Sequence, residues 1–543
     1  MAPPPPTMAP LKGRPTEGRP TAVSGEEAVL VTLGEILASV PSELGWRVGA
    51  GATDGLGDRA VTAVEHDSRR IEPGSLFVAL RGLKADGVAF APDAAERGAV
   101  AIVAESEPPD GWTGPWIVVT NARAALAALA HVFFRQPSEH LLVVGVTGTN
   151  GKTTTTYLLS AVFERAGIAC GRMGTVGYRI GREERPAART TPEAPDMHHM
   201  LRQMVDHGCG ACAMEVSSHA LDLRRVDFVR FAAAVFTNLT RDHLDYHGDM
   251  EQYFLAKKRL FDMLPEGAPS IVNVDDLRGE RLLASVGHAV TYGIDRPSDI
   301  HPQRFDLSLS GVDATVDTPR GSVKLHSHLP GRPNVSNVLA AVGTGIALDL
   351  PLSAIVDGIA DVERVPGRFQ VVSSSEDQVA VIVDYAHTDD ALKNLLETAR
   401  PLAKGRLITL FGCGGDRDRT KRPLMGAVAA RLSDLVVLTS DNPRSEDPAG
   451  IIDEIKKGLV PPERPQRWKQ RTLTPPPSTP YVAMVDREAA IAHAVREAKP
   501  GDLVVIAGKG HETTQEIGDR VLPFDDTVVA RVALARRRQA TSV

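Results

Sequence analysis

Residues 145–159 read GVTGTNGKTTTTYLL and close an apolar run, LLVVGVTG. Glycines, a lysine and hydroxyls between an apolar strand and a helix are the parts of a phosphate cradle. Gly148 and Gly151 let backbone approach an anion closely, and the N–H groups that open a helix point at it. Lys152 brings charge to the outer phosphates of a nucleotide, and the Thr153 hydroxyl suits a magnesium ion. Thr149, Asn150 and Thr154 complete the loop. The spacing is not the common G-x-x-x-x-G-K-[ST], because the residue five before Gly151 is Val146 and the extra glycines are 145 and 148. A Gly/Thr-rich turn without a ligand is the competing reading; strand, GKT and helix in sequence disfavour it.

Two further stretches offer metal or phosphate chemistry. MEVSSH puts Glu215 at the end of an apolar run, a usual place for a second metal ligand in such sheets. TNLTRDHLDYHGDMEQYFLAKKRLF supplies His243, flanked by Asp242 and Asp245, then His247 and Lys257. Cys209 and Cys212 form a CxxC, but no second pair or suitable histidines stand near it. The run ACAMEV reads as a buried strand in which cysteine is a small apolar filler.

These residues need a scaffold. Apolar strands alternating with helices imply parallel sheets covered on both faces, hence an α/β fold. TLGEILASV, AVTAVEHDSR, GSLFVAL, AVAIVAE, WIVVT and NARAALAALAHVFF read as a small α/β domain over 28–138. LLVVGVTG, ACAMEVSS, AAAVFTNLT and SIVNVDD read as a central, mostly parallel P-loop-type domain over 139–365. VAVIVDYAH, RLITLFGCGG, DLVVLTSDNPR and DLVVIAGKGHE read as a Rossmann-like C-terminal domain over 366–543. Each of those four strands is followed at once by glycine or polar residues, and open α/β sheets bind ligands at the carboxyl ends of strands. The Pro-rich stretch 1–27 reads as a disordered tail, and 460–480 as a surface loop without chemistry.

Bulk properties narrow the class. A chain of 543 residues exceeds one core. The net charge of 61 − 68 = −7 gives no basic footprint for nucleic acid. No apolar run reaches the roughly 20 residues of a membrane helix, and four cysteines in this length suit a reducing compartment. A monomer in the cytoplasm is the expected form.

Together the motifs resemble the ATP-dependent Mur ligases of peptidoglycan synthesis, from HDSR at 66–69 to GKGHE at 508–512. That family's loop is G-x-x-G-T-N-G-K-[ST], which GVTGTNGKT matches. The resemblance implies that ATP phosphorylates a substrate carboxylate and an amine then displaces phosphate to form an amide. It implies that Lys152 meets the γ-phosphate, that Thr153 and Glu215 hold one magnesium ion, and that Glu215 and His243 help hold a second. Lys257 matches the A-K-x-x-L-F position where members carry a carbamylated lysine, a carboxylate-like group able to help place the second metal. Asn337 in NVSNVLAA resembles an adenine contact. Arg368 in PGRF and Asp384 in VDYAH resemble groups that reach ATP from the third domain.

HDSR, RTTPE at 189–193, EVSSH and FGCGGDRDRTKRP at 411–423 resemble the branch that adds the third peptide residue. This implies UDP-N-acetylmuramoyl-L-alanyl-D-glutamate as acyl substrate. Ser68, Leu83, Lys84 and Ala85 would lie near the uridine diphosphate. Thr190, Thr191, Ser217 and Arg225 would hold the muramoyl-peptide part. Arg189, Leu223 and Val88 depart from residues common in the family at those positions. DNPR at 441–444 resembles the diaminopimelate-specific form, since a site choosing that amino acid over lysine needs a cation for the extra carboxylate. Arg444 would be the selector, with Arg417, Asp441, Asn442, Pro443, Gly508 and Glu512 around it and Glu512 receiving an ammonium group. Folylpolyglutamate synthase and the lysine-adding ligase are the neighbouring alternatives within the superfamily. A P-loop ATPase switch or motor is the alternative of another class, and it would turn over ATP without an acyl acceptor.

Overall fold

The computed structural model describes residues 31–49, 55–82, 85–459 and 479–541. The expected tail at 1–27, Leu83, Lys84 and nearly all of the Pro-rich stretch lie outside the described residues.

Three sheets organise the described chain. The first has five strands, with Ala63–Glu65, Ser75–Val78, Ala101–Ala104 and Trp116–Val118 parallel and Arg47–Val48 antiparallel at one edge. Its main helix, Ala122–Phe133, is nearly all Ala and Leu inward, and the Asn121 side chain accepts from Ala124 N (2.8 Å) to cap it.

The second sheet has eight strands, and Leu142–Thr147 lies inside it between Ala211–Glu215 and Phe231–Phe236. All three are parallel runs of small and β-branched residues buried on both faces, as a covered sheet demands. Register sets Glu215 opposite Val146 and Phe236 opposite Thr147. The loop after each strand therefore opens on the same edge. Helix Met250–Asp262, capped by the Asp249 carboxylate on Glu251 N and Gln252 N, covers one face. Its buried residues are Tyr253, Phe254, Lys257, Leu260 and Phe261, so Lys257 occupies the apolar stripe of an amphipathic helix.

The third sheet runs Gln370–Val371, Ala380–Asp384, Leu503–Ala507, Leu407–Phe411, Leu435–Leu438, Tyr481–Ala483, all parallel except the first. Its carboxyl ends bring 384–388, 412–417, 439–444 and 508–512 to one edge.

Sequence reading had not separated out two antiparallel additions. One is the three-stranded sheet His301–Ser308, Gly311–Asp317 and Val323–Ser327; the other is the hairpin Thr514–Ile517 with Arg520–Pro523. The four cysteines are free and buried, as a filler role requires, and burial pushes the Cys212 thiol well above its ordinary range.

A fully buried ion pair ties the third sheet's edge together. Arg487 Nε and Nη2 donate to the two oxygens of Asp526 (2.8 and 2.7 Å), while Nη1 reaches Ser440 O (3.2 Å) and Nη2 reaches Ala507 O (3.0 Å). Those two carbonyls immediately precede 441–444 and 508–512. Asp526→Ala leaves a buried, uncompensated guanidinium and is expected to cost about 3–5 kcal/mol. Chemical denaturation followed on the C-terminal body checks this.

Candidate active site

The phosphate loop depends on two glycines. Gly148 has φ +147° and Gly151 φ +88°, conformations that side chains disfavour. A Cβ at Gly148 would overlap Thr237 Oγ1, and one at Gly151 would overlap Asn337 Oδ1. Residues 237–240, TNLT, splint the loop from the neighbouring strand. Thr149 N donates to Asn238 O (2.8 Å), Asn150 N to Asn238 Oδ1 (2.9 Å), Thr237 Oγ1 to Asn150 O (2.6 Å) and Thr240 N to Thr149 Oγ1 (3.0 Å). With 149 and 150 so engaged, the unpaired N–H groups are those that open helix Lys152–Arg165. That end has no side-chain cap, which suits an anion. Thr237, Asn238 and Thr240 hold the loop and were missed from the sequence, although their polar run directly after a buried strand was the available signal.

Charge is concentrated around this loop. Lys152 Nζ donates to Gly148 O and Thr149 O (both 2.8 Å), and Lys257 Nζ donates to Gly148 O (2.7 Å) while lying 4.5 Å from the Tyr253 ring centroid. Burial lowers both amines, and Lys152 adds to the effect on Lys257, which is held well below the ordinary lysine range. Asp242 opposes the shift in each case. Burial likewise drops His243 to about 4, so its ring is neutral near pH 7. His243 has φ +54° and faces Asp242 (Nε2 to Oδ2, 3.4 Å) and the His219 ring (4.8 Å between centroids).

Glu215 is buried at its strand end, and Thr175 donates to it twice, from N to Oε1 (2.8 Å) and from Oγ1 to Oε2 (3.1 Å). Thr175 Oγ1 also meets Thr190 Oγ1 (3.0 Å). Thr191 Oγ1 donates to Glu215 O (2.9 Å) and lies 3.3 Å from Ser217 Oγ. Arg225 pairs with Glu193 (2.9 Å) and reaches Thr191 O (3.2 Å); Arg189 pairs with the same Glu193 oxygen (2.6 Å). Glu215, Thr190, Thr191, Ser217 and Arg225 thus form one continuous wall. Ser68 opens a short turn capped by Asp67, two residues from Arg70, which crosses to Asp196 (2.9 Å) at the start of helix Ala194–Asp206. Ala85 O accepts from Gly82 N (2.9 Å). Among the described residues no group of three or more His, Cys, Asp or Glu is set to hold a metal by itself.

The third body meets the loop directly. Arg368 Nη2 donates to Thr153 Oγ1 (3.3 Å), and its guanidinium lies 4.6 Å from the Tyr385 ring centroid. Asp384 holds the turn that carries Arg368, accepting from Phe369 N (2.6 Å) and Ala386 N (2.8 Å). Asn337 Nδ2 donates to Asn334 Oδ1 (3.0 Å), which leaves its carbonyl over Gly151.

At that body's edge, DNPR and GKGHE interlock. Asn442 Nδ2 donates to Glu512 Oε2 (2.8 Å), and buried Lys509 donates both to that oxygen and to Asn442 Oδ1 (2.9 Å each). Asp441 O accepts from Gln515 Nε2 (2.7 Å), and Gly508 packs against the Asp441 carboxylate. Pro443 is buried against Gly415, and Arg444 Nη1 donates to Gly415 O (2.9 Å). Arg417 stands beside Gly414 and points its guanidinium back to Asp416 O (3.4 Å). Lys509 was absent from the sequence-based set; a lysine within a strand-end glycine motif was its only signal.

Through Arg368 the glycine loop of the central α/β body meets the third body, whose sheet edge carries the DNPR and GKGHE side chains. The Mur ligase catalytic domain matches residues 60–134, the Mur ligase middle domain 146–345 and the Mur ligase glutamate ligase domain 367–510. Proteins named UDP-N-acetylmuramoyl-L-alanyl-D-glutamate–2,6-diaminopimelate ligase are similar throughout. The one from Geobacter sulfurreducens is 47% identical over 86% of this chain and 93% of its own. The one from Solibacter usitatus is 45% identical over 93% and 98%. A solved structure of a protein of that name has TM-score 0.65 and 32% identity over 94% of this chain and 99% of the other. A MurF ligase from Thermotoga maritima, solved with ADP, shares the fold at TM-score 0.59 and 18% identity, covering 88% and 98%. The chain belongs to the Mur ligase family.

Gly148→Ala combines steric overlap with an unfavourable φ, a strain of about 1–3 kcal/mol. Nucleotide binding measured by calorimetry is expected to weaken about ten-fold or more, and an unchanged affinity refutes this account of the loop.

Proposed function

We propose that this chain joins diaminopimelate to UDP-N-acetylmuramoyl-L-alanyl-D-glutamate at the expense of ATP, in the synthesis of peptidoglycan precursor. Similarity of 45–47% over most of the chain to ligases of that name supports the reading. The observation that carries it is the reach of Arg368 to Thr153 from a turn whose Gly367 packs on Gly510 and His511 of GKGHE, which supports a cleft shared by the phosphate loop and the third body's edge.

A carboxylate resists attack by an amine until one oxygen becomes a good leaving group, so the terminal phosphoryl of ATP is first moved to it. In this reading Lys152 and the helix N-terminus at 151–154 hold the transferred phosphoryl and stabilise its developing charge. Gly148, Thr149, Asn150, Asn337, Arg368 and Asp384 line the nucleotide side. Arg225, Thr190, Thr191 and Ser217 orient the acyl substrate, and Ser68, Leu83, Lys84 and Ala85 meet its nucleotide end. The amine then attacks the acyl phosphate, with Arg444, Asn442, Asp441, Pro443, Arg417, Gly508 and Glu512 holding the rest of the amino acid.

Magnesium fits this donor set. Glu215 and Thr153 offer hard oxygens, and an ion that prefers phosphates and water needs few protein ligands. Thr153, Glu215, His243 and a carbamylated Lys257 would hold two such ions, which neutralise charge on the phosphoryl oxygens when bound. Carbamylation of Lys257 is supported by a fully buried amine with no carboxylate partner among the described residues. The division into bodies of 28–138, 139–365 and 366–543 is supported by sheets that each close within one span. A cytoplasmic monomer belongs to the same reading; no helix among the described residues is long and apolar enough to cross a membrane.

Phosphate release is expected to require the UDP-muramoyl dipeptide and diaminopimelate together; release indifferent to both indicates a nucleotide switch instead. Removing carbon dioxide is expected to lower turnover, with bicarbonate restoring it in the native chain only. Lys257→Ala with native turnover excludes that lysine from the reaction. Arg444→Ala is expected to lose about 2–5 kcal/mol of diaminopimelate recognition with ATP affinity retained, read as separate KM values.

A further inference from the structure

The guanidinium of Arg444 is held more tightly than a half-buried surface arginine needs to be. Its backbone has φ +51°, a strained value for a side chain of this size. Two hydrogen bonds hold that strain in place: Arg444 N donates to Glu516 O (3.1 Å) and Gly518 N donates to Arg444 O (2.7 Å), and together they make the parallel β-bridge between Arg444 and Ile517. Both come from the hairpin Thr514–Ile517/Arg520–Pro523. The side chain is fixed from the same hairpin, because Glu516 Oε2 lies 2.9 Å from Nε. From the other side Gly415 O accepts from Nη1 (2.9 Å), and the lack of a side chain at Gly414 lets Nη1 lie close to that backbone.

Five N–H donors form the guanidinium fork. Glu516 Oε2 sits against Nε as an ion pair, and Gly415 O takes one hydrogen of Nη1. Among the described residues Nη2 makes no hydrogen bond. A carboxylate arriving here therefore meets the terminal side of the guanidinium, where Nη2 is open. Asn442, whose carbonyl accepts from Glu516 N (3.1 Å) and Lys509, ties the same hairpin to Glu512. Glu512 Oε1 likewise has no partner among the described residues. One cation edge and one carboxylate oxygen are thus left available, each set by the hairpin.

We propose that Glu516 is a specificity-positioning residue: by occupying the Nε edge of Arg444 it fixes the plane in which the amino-acid substrate's second carboxylate is recognised. This rests on the reading that Arg444 selects diaminopimelate. Glu516 does not touch the reacting atoms, so its loss acts on amino-acid KM rather than on the chemistry.

The experiment compares native chain, Glu516→Gln, Glu516→Asp, Arg444→Ala and the Arg444→Ala/Glu516→Gln double variant, with diaminopimelate and lysine as alternative amines. Glu516→Gln is expected to raise the diaminopimelate KM about ten-fold, with kcat and the KM for ATP within two-fold of native. Glu516→Asp recovers part of the loss. In the Arg444→Ala background Glu516→Gln adds nothing, because the two act as a unit. A diaminopimelate KM unchanged or lowered in Glu516→Gln overturns the positioning role, as does an effect equal in both backgrounds. A native chain that ignores diaminopimelate overturns the functional reading and this inference with it, so the two failures are distinguishable. Thermal midpoints of all variants separate loss of recognition from loss of the hairpin.

Discussion

Two lysine amines meet at one carbonyl oxygen, that of Gly148, and the rest of the central body is built around making this tolerable. Bringing Lys152 and Lys257 together without water is unfavourable twice over, through desolvation and through like-charge repulsion. The sheet supplies the compensation. Asp242 lies within electrostatic range of both amines and Glu215 of Lys152, at or beyond the ends of the two strands that flank Leu142–Thr147, while Gly148 O accepts from both amines and Thr149 O from Lys152. The same concentration of cation and helix N-terminus that makes the site unfavourable by itself makes it a receptor for a polyanion.

The loop cannot hold this geometry alone. Its backbone is strained at Gly148, and the neighbouring segment 237–240 fixes it through side-chain and main-chain bonds. That segment is in place because Phe236 pairs with Thr147 and Asn273 Nδ2 donates to Thr237 O (2.7 Å). Strand register thus becomes loop geometry. The third body repeats the arrangement with different chemistry, where the buried Arg487–Asp526 pair ties the two strand ends that carry DNPR and GKGHE. Arg422, fully buried, does similar service below the pocket by binding Glu446, Glu454 and Gly414 O. Contact between the bodies then runs through Arg368, whose turn is held by Asp384.

Much of this was legible in the residues. Each apolar run named from the sequence contains a strand, since a sheet covered on both faces requires continuous runs of Val, Ile, Leu and Ala. Gly148 and Gly151 were readable because only glycine satisfies both their φ and their lack of space. Lys257 was reached through the A-K-x-x-L-F resemblance, and the fold places it on the apolar stripe of its helix. The antiparallel strands at 301–327 and the hairpin at 514–523 were not separated out. Their pattern is half-polar, and short alternating segments with exposed faces look much like loops.

By itself, then, the sequence determined the kind of elements, their order and the loops that carry phosphate and amino-acid chemistry. Those follow from local rules: apolar periodicity, glycine where φ is positive, polar residues directly after a strand. Only the tertiary structure decided which of those loops share an edge, that Glu215 faces Thr175, that Lys509 orients Asn442 and Glu512, and that Glu516 grips Arg444. Lys509 and Glu512 apart, these partners lie 40 to 72 residues from one another, or hang on a hairpin with no signature of its own. Their meeting is fixed by strand order and register rather than by any local pattern, so only the folded chain contains it.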